Sequence, residues 1–350
     1  FTLDDEMSPQ ELGISGAARL STPITLGKTA SSAACMKSKK NPMRLFRHFI
    51  EYAGLLIAFG IWRTIPFSWA MKLADSLAPA LAFLFPVRKS VVLRNLNTAF
   101  PDLNAKKRKK LLSEIYRNFF LLIIEFIHFR NKDSQDATSQ IAEIEGAEYF
   151  EQVGAGGKPF LAITAHIGNW ELMGAWFAAR GVPLSVLAKP IHNPHVDKMI
   201  NKMRKQRGME VISTRGEPIR EVLAALKRGR CVAFLADQDA RKAGIFVDFF
   251  GKPASTFTGP ALFAIRSGLP ILPAFDIRTG LATHKVVFLP PIYPPSKEED
   301  RESAIQKLTQ IHTRILEDII RQYPEQYFWF HRRWKSRPPA QKNKKIKIVS

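Results

Sequence analysis

The feature that most restricts this chain is the change of pattern at Phe150. From there, short apolar runs of strand length alternate with amphipathic segments of helix length. Runs at Phe160 to Thr164, Leu184 to Ala188, Glu210 to Ile212, Cys231 to Ala236, Ile271 to Phe275 and Lys285 to Leu289 read as strands. Trp170 to Arg180, Val196 to Arg207, Pro218 to Lys227, Phe257 to Ser267 and Ser303 to Arg321 read as helices between and after them. Strands that are apolar at every position are buried on both faces, and regular alternation with helices supplies the covers. The expected fold class is therefore α/β, with a central mixed, largely parallel sheet flanked by helices.

The segment before this pattern is different. Phe46 to Phe85 is the most apolar region, and Ala53 to Trp62 is an unbroken apolar or glycine run. Arg44, Arg47 and His48 flank it on one side and Arg63 on the other, with Trp62 and Trp69 near the boundaries. A spanning helix needs about 20 apolar residues, so the run is short for a span and also suits an interfacial anchor or a buried core helix. Arg94-Asn-Leu-Asn-Thr-Ala-Phe-Pro101 reads as a helix end stopped by proline. A helix expected over Ala105 to Phe129 opens with Lys106, Lys107, Arg108, Lys109 and Lys110, and its rear half is apolar around a single carboxylate, Glu125. The expected organisation is a disordered extension over residues 1–42, a helical membrane-associating region over 43–130, an α/β domain over 131–337 and a basic tail over 338–350. The first 35 residues lack the long apolar core of a secretory signal.

A net charge of +21 over 350 residues implies an anionic partner: a membrane surface, an acidic protein or nucleic acid. The basic residues are spread, and no RNP-like or helix-turn-helix pattern accompanies them, which argues against nucleic acid. Two cysteines, Cys35 and Cys231, are too few for a disulfide framework, and Cys231 sits where a small buried hydrophobe is expected. Gly154-Ala-Gly-Gly-Lys158-Pro159 fails as a phosphate loop, because proline takes the Ser/Thr position and no helix follows.

The sharpest constellation is Ala165-His166-Ile-Gly168-Asn169-Trp170-Glu171, between an expected buried strand and a helix. Ligands and reactive groups of α/β sheets gather at the C-terminal ends of strands. Across such a turn Glu171 can orient one nitrogen of His166 and leave the other to take a proton from an attacking alcohol. No serine or cysteine stands nearby as a nucleophile, which favours direct attack by the acceptor. From these residues alone, a structural histidine beside a helix-capping neighbour is an equally good explanation. Asp237, Gln238 and Asp239 follow another expected strand, with Arg241 beyond them. They suit ordering of a basic substrate-binding side chain or capping of the loop. Asp-x-Asp with no His or Cys spacing around it does not make a metal site.

His166-Ile-Gly-Asn-Trp-Glu171 resembles the His-x4-Asp/Glu signature of glycerolipid acyltransferases, in the form found in lipid A biosynthesis (lauroyl/myristoyl) acyltransferases. The likeness extends in order through Arg94 to Pro101, Leu235-Ala-Asp237-Gln238-Asp239, Phe249-Phe-Gly-Lys-Pro-Ala-Ser-Thr256 and Pro324-Glu-Gln-Tyr-Phe-Trp329-Phe-His331-Arg-Arg333-Trp-Lys335, covering about residues 43–338. The chain departs from the pattern at its two ends, and at Lys189-Pro190 where many relatives carry Arg-Pro.

The resemblance implies His166 as general base oriented by Glu171. It also implies substrate contacts from Asn169, Trp170, Lys189, Arg204, Asp237, Gln238, Asp239 and Arg241, and no metal or cofactor. The implied donor is an acyl-carrier-protein thioester, and the implied acceptor a hydroxyl of a lipid A precursor or related glycolipid. The implied location is the cytoplasmic face of a bacterial inner membrane. A glycerophospholipid or phosphoinositide-mannoside acceptor is the alternative within the superfamily. A basic membrane- or nucleic-acid-binding protein without catalysis is the alternative outside it. The Lys106 to Lys110 run and the cluster Arg204, Lys205 and Arg207 are candidate docking residues for the acidic carrier. Trp329, His331, Arg332, Arg333 and Lys335 are candidate contacts to lipid headgroups.

Overall fold

The computed structural model describes residues 42–128, 139–296 and 299–339. The extension expected over 1–42 and the tail expected over 338–350 lie almost wholly outside these residues.

The apolar region resolves into α1 (Pro42–Thr64) and α2 (Phe67–Leu84), separated at Pro66. Next come α3 (Lys89–Ala99), which ends just before Pro101, and α4 (Ala105–His128). The α/β part follows as β1 (Ile141–Glu145), α5 (Ala147–Gly154), β2 (Leu161–Thr164), α6 (Trp170–Ala179), β3 (Leu184–Ala188), α7 (Pro194–Gln206), β4 (Glu210–Ser213), α8 (Pro218–Lys227) and β5 (Cys231–Leu235). After β5 come a hairpin of β6 (Ile245–Phe249) and β7 (Lys252–Thr256), then α9 (Gly259–Ser267), β8 (Ile271–Arg278), β9 (His284–Phe288) and α10 (Arg301–Gln322).

Seven strands form one sheet in the order β1-β9-β8-β2-β5-β3-β4. The five strands from β8 to β4 are parallel, and β9 and β1 run the other way as a parallel pair, joined to the rest through the antiparallel β8–β9 contact. The sheet is thus mixed and largely parallel, as expected. Its central strands show period-two packing. Leu161 and Ile163 of β2 face the layer of α8, α9 and α10, with Val222, Ala264 and Leu308 in one cluster. Ala162 faces the layer of α5 and α6, with Val153, Trp176 and Phe177. Burial on both faces explains why these strands read as continuous apolar runs.

Three elements differ from the sequence expectation. β1 is an edge strand with an exposed and polar sequence, Ile-Ala-Glu-Ile-Glu, and carries little apolar signal. The β6–β7 hairpin lies outside the main sheet and contains Pro253, a residue that counts against a strand. The third is the closing segment expected at the lipid surface. Trp329 and Arg333 are 1% exposed, and Trp329 packs with Phe100, Phe250 and Tyr327. Trp329 is an interior residue of a cluster joining α3, α4, the hairpin and α10, and Arg333 lies over Phe249 of the hairpin, whereas Arg332 and Lys335 are exposed.

Outside the sheet, α4 is the hub. α2 packs along it, and Phe59, Met71, Leu121, Ile124 and Ile127 share one cluster. The outer faces of α1 and α2 remain apolar and open: Phe46, Phe49, Ile57, Ile61, Trp69 and Phe83 are all more than half exposed. α1 is long and apolar enough to cross a membrane.

Candidate active site

The register of the sheet builds the site. β2 and β5 are parallel neighbours, with Thr164 opposite Leu235. His166 lies two residues beyond Thr164 and Asp237 two beyond Leu235, so the two side chains leave the same sheet edge side by side. His166 Nδ1 is 2.8 Å from Asp237 Oδ1. The ionised carboxylate only accepts, so Nδ1 carries a proton, and in the neutral imidazole Nε2 keeps its lone pair. Burial by itself would raise the Asp237 carboxyl, but the imidazole beside it outweighs burial and holds its pKa below the ordinary 3.8. Tyr327 donates its hydroxyl to the Asp237 carbonyl at 3.3 Å and braces the loop from behind. The Gln238 amide nitrogen lies 3.5 Å from His166 Nδ1.

The strand-to-helix turn needs Gly168. Its φ is +54°, in the left-handed region, and a Cβ there would lie 1.9 Å from the Asp276 carbonyl oxygen. Asn169 follows as the cap of α6, its side chain accepting from the Leu172 N–H at 2.9 Å. Trp170 starts the helix and meets the His166 ring edge-on at 4.9 Å, and Phe328 tilts against the imidazole at 6.0 Å. His166 thus sits between aromatic rings with its side chain 21% exposed.

The expected partnership of His166 with Glu171 is corrected. Glu171 stands in the first turn of α6 and is held by the Arg204 guanidinium in a fork: Nη2 to Oε1 at 2.6 Å, and Nε to Oε1 and Oε2 at 3.1 and 3.2 Å. Burial opposes its charge, yet Arg204 outweighs burial and lowers the Glu171 pKa. The pair also matches the helix dipoles, with the carboxylate at the start of α6 and the guanidinium at the end of α7. Glu171 therefore fixes α7 against the histidine motif, and Asp237 is the carboxylate that hydrogen-bonds His166.

Arg204, expected to dock a partner or touch substrate, is mostly buried in this ion pair. Arg207 is 5% exposed and stacks over Phe126, so neither presents a free cationic surface. Asp239 accepts from the Ser336 hydroxyl at 3.0 Å, while its N–H donates to His331 Nε2 at 2.9 Å. Burial pushes the His331 imidazole down to about 3, which leaves it a neutral acceptor. Arg241 has a φ of +54°, and its carbonyl accepts from the Ser255 hydroxyl. Lys189 is exposed beyond β3, on the loop that leads to α7. Arg333 donates to the Ser255 carbonyl and the Thr256 hydroxyl, both at 2.6 Å, and thus ties the closing segment to β7. Cys231 is buried in β5, and burial pushes its thiol up to about 11.

Sequence reasoning missed the polar assembly beneath the motif. Glu125, Asp276, Arg278 and His284 lie on α4, β8 and β9, all buried, and converge on Asn169. One signal was available: Glu125 is a lone carboxylate in the apolar half of α4, and such a group needs a buried partner.

The family described as bacterial lipid A biosynthesis acyltransferase matches residues 36–336. The chain is 24% identical over 295 residues to the lipid A biosynthesis palmitoleoyltransferase of Escherichia coli K12, covering 83% of this chain and 93% of that protein. It is also 24% identical over 298 residues to the lipid A biosynthesis lauroyltransferase of the same organism, with the same coverage. The phosphatidylinositol mannoside acyltransferase of Mycobacterium tuberculosis H37Rv is 30% identical over 133 residues, covering 37% of this chain and 42% of that protein.

Proposed function

The chain belongs to the bacterial lipid A biosynthesis acyltransferase family and is an acyltransferase, and from that premise we propose that it moves a fatty acyl group from an acyl-carrier-protein thioester to a hydroxyl of a lipid A precursor. The observation that carries the mechanism is the His166–Asp237 pair at the ends of adjacent parallel strands. His166 Nε2 takes the proton of the acceptor hydroxyl as its oxygen attacks the thioester carbonyl. Asp237 stabilises the imidazolium that forms. The carbonyl oxygen gains negative charge in the tetrahedral intermediate, which hydrogen-bond donors at the site would stabilise. As the intermediate collapses the C–S bond breaks, and the imidazolium returns the proton to the departing thiolate. Trp170 and Lys189 border the same edge and are proposed to position substrate, whereas Asn169, expected to do so too, is 1% exposed with its amide held by Glu125 and its side-chain carbonyl oxygen by the Leu172 N–H, and so shapes the turn instead.

The acceptor lies in a membrane, and the structure offers a way to reach it. α1 and α2 present their apolar outer faces, and α1 is tied to the loop before α7. Asn193 donates to the His48 carbonyl at 2.8 Å and to Glu51 at 3.0 Å. α7 in turn holds Glu171 through Arg204. Helices that engage the cytoplasmic face of the inner membrane would therefore set the site at the lipid surface. Replacing Phe46, Phe49 and Ile57 together by Ser should lower co-flotation with anionic vesicles; unchanged flotation would place the anchor elsewhere. The Lys106 to Lys110 run, beside a surface hollow lined by Phe100, Leu103, Lys107 and Arg321, suits an acidic carrier.

The decisive experiment supplies purified protein with acyl-carrier-protein thioester and, separately, a lipid A precursor, a phosphatidylinositol mannoside and a lysophospholipid. Transfer to the lipid A precursor is expected, and its loss in His166→Ala. Preference for the mannoside would favour the second reading, motivated by the mycobacterial likeness. Full turnover by His166→Ala would reject the mechanism.

A further inference from the structure

Beneath the histidine motif, four charged side chains are joined in one hydrogen-bonded chain. His284 on β9 has Nδ1 2.7 Å from Asp276 Oδ1 and Nε2 2.9 Å from Glu125 Oε1. Arg278 grips Glu125 from the other side, with Nη1 to Oε1 at 2.6 Å and Nη2 to Oε2 at 2.5 Å. The two carboxylates that hold His284 also hold the turn that carries His166. Asp276 Oδ1 accepts the Asn169 backbone N–H at 2.7 Å, and Glu125 Oε2 accepts the Asn169 side-chain amide at 2.9 Å. The Asp276 carbonyl is the atom that excludes any side chain at Gly168.

We propose that His284 is an imidazolium at neutral pH acting as a positioning residue: clamped between Asp276 and Glu125, it fixes both acceptors that hold the Gly168–Asn169 turn and thereby aims His166. The assignment extends the proposed function and rests on it. Two ionised carboxylates accept only, so both ring nitrogens of His284 must donate, and only the imidazolium has two N–H groups. Formal charge agrees. Glu125 and Asp276 carry −2 and Arg278 +1, and a cluster with His284 at 0% exposure is left with one uncompensated negative charge unless the imidazole is protonated. Among the described residues, other charged groups do not supply the balance. On β1, Glu143 and Glu145 are exposed, and Glu145 pairs with Lys285, while Gln140 offers only its carbonyl, to the His284 N–H. α6 contributes the uncharged Asn169, and α4 contributes Glu125 alone.

Electrostatics point the same way. Burial works against charge on His284, but Asp276 and Glu125 outweigh it and raise its pKa from 6.5 to about 9. Burial also opposes charge on Glu125, yet Arg278 and His284 bring it down to about 2. A proton lost from His284 would leave one of the two carboxylates without its donor. The turn would then relax with no residue at the reaction centre altered.

The test is the ring nitrogen spectrum of full-length protein labelled with 15N-histidine in detergent micelles, with His284 assigned by difference from His284→Gln. Two protonated nitrogens at pH 7, titrating together toward pH 9, are expected. In kinetics, His284→Gln should lower kcat at least tenfold with KM for donor and acceptor within twofold. It should also abolish the fall in wild-type kcat near pH 9. Asp276→Asn provides a second variant should the first not fold, and should show the same split. A neutral His284 tautomer at pH 7, or wild-type kcat in either variant, overturns the proposal. The nitrogen spectrum does not depend on the reaction: inactive His166→Ala together with a neutral His284 would reject this assignment alone, and active His166→Ala would reject the proposed mechanism whatever the state of His284.

Discussion

Replacing Asp237 by Asn separates the two carboxylates that surround the histidine motif. The amide keeps the shape of the side chain and can still place an oxygen 2.8 Å from His166 Nδ1, so the change is chiefly one of charge. In the transition state the imidazole becomes cationic, with charge centres roughly 4 Å apart, and at an effective dielectric of about 20 that attraction is worth about 4 kcal/mol. The carboxylate is 1% exposed, so solvent screens little of it. At about 1.4 kcal/mol per tenfold, kcat should fall by about a thousandfold. Rotation of the amide to offer its NH2 group would force the wrong tautomer on His166 and deepen the loss. Steady-state kcat at saturating donor and acceptor measures the effect, with circular dichroism melting to show that the fold is intact. Glu171→Gln is the control: it weakens a pairing with Arg204 and leaves the dyad in place, so its loss in kcat should be much smaller. A folded Asp237→Asn with kcat within threefold of wild type, beside a Glu171→Gln that is inactive, would refute the assignment of the orienting role to Asp237.

Gly168→Ala should destabilise the protein by more than the ~1–2 kcal/mol of a left-handed alanine, because its Cβ also meets the Asp276 carbonyl; denaturant melts would show this, and a neutral effect would mean the turn is not built as described. Arg204→Ala leaves Glu171 buried and unpaired, and should cost about 3–5 kcal/mol, with little dependence on salt in urea titrations. The raised pKa of His284 stabilises the fold fully below pH 6.5, and that contribution is lost as pH climbs through about 9. Over that window denaturant stability should fall by about 3 kcal/mol, and a His284→Gln protein should lack the fall. Charge reversal at Lys106, Lys107 and Lys110 should raise KM for a carrier-linked donor and leave a short soluble thioester unaffected; equal effects on both donors would exclude carrier docking there.

The sequence by itself determined most of the elements, though not β1 or the β6–β7 hairpin, and the place of His166. Short apolar runs and period-3.6 patterns locate β3 and α8 to the residue, and place most other elements within two or three residues, because burial is a local demand on side-chain type and spacing. The break at Gly168 and the cap at Asn169 put His166 at the C-terminal end of β2, where α/β sheets place reactive groups. Only the tertiary structure decided what the histidine meets. Glu171 is close to it in sequence, but α6 begins at Trp170 and carries that side chain to Arg204 on α7. Asp237 lies 71 positions away and reaches His166 because β5 pairs with β2, a choice of neighbours that strand patterns do not encode. The same holds for Glu125, whose partners Arg278 and His284 stand 153 and 159 positions further on. A lone buried carboxylate declares that it needs a partner. Which cation arrives is settled by how α4 lies across the end of the sheet.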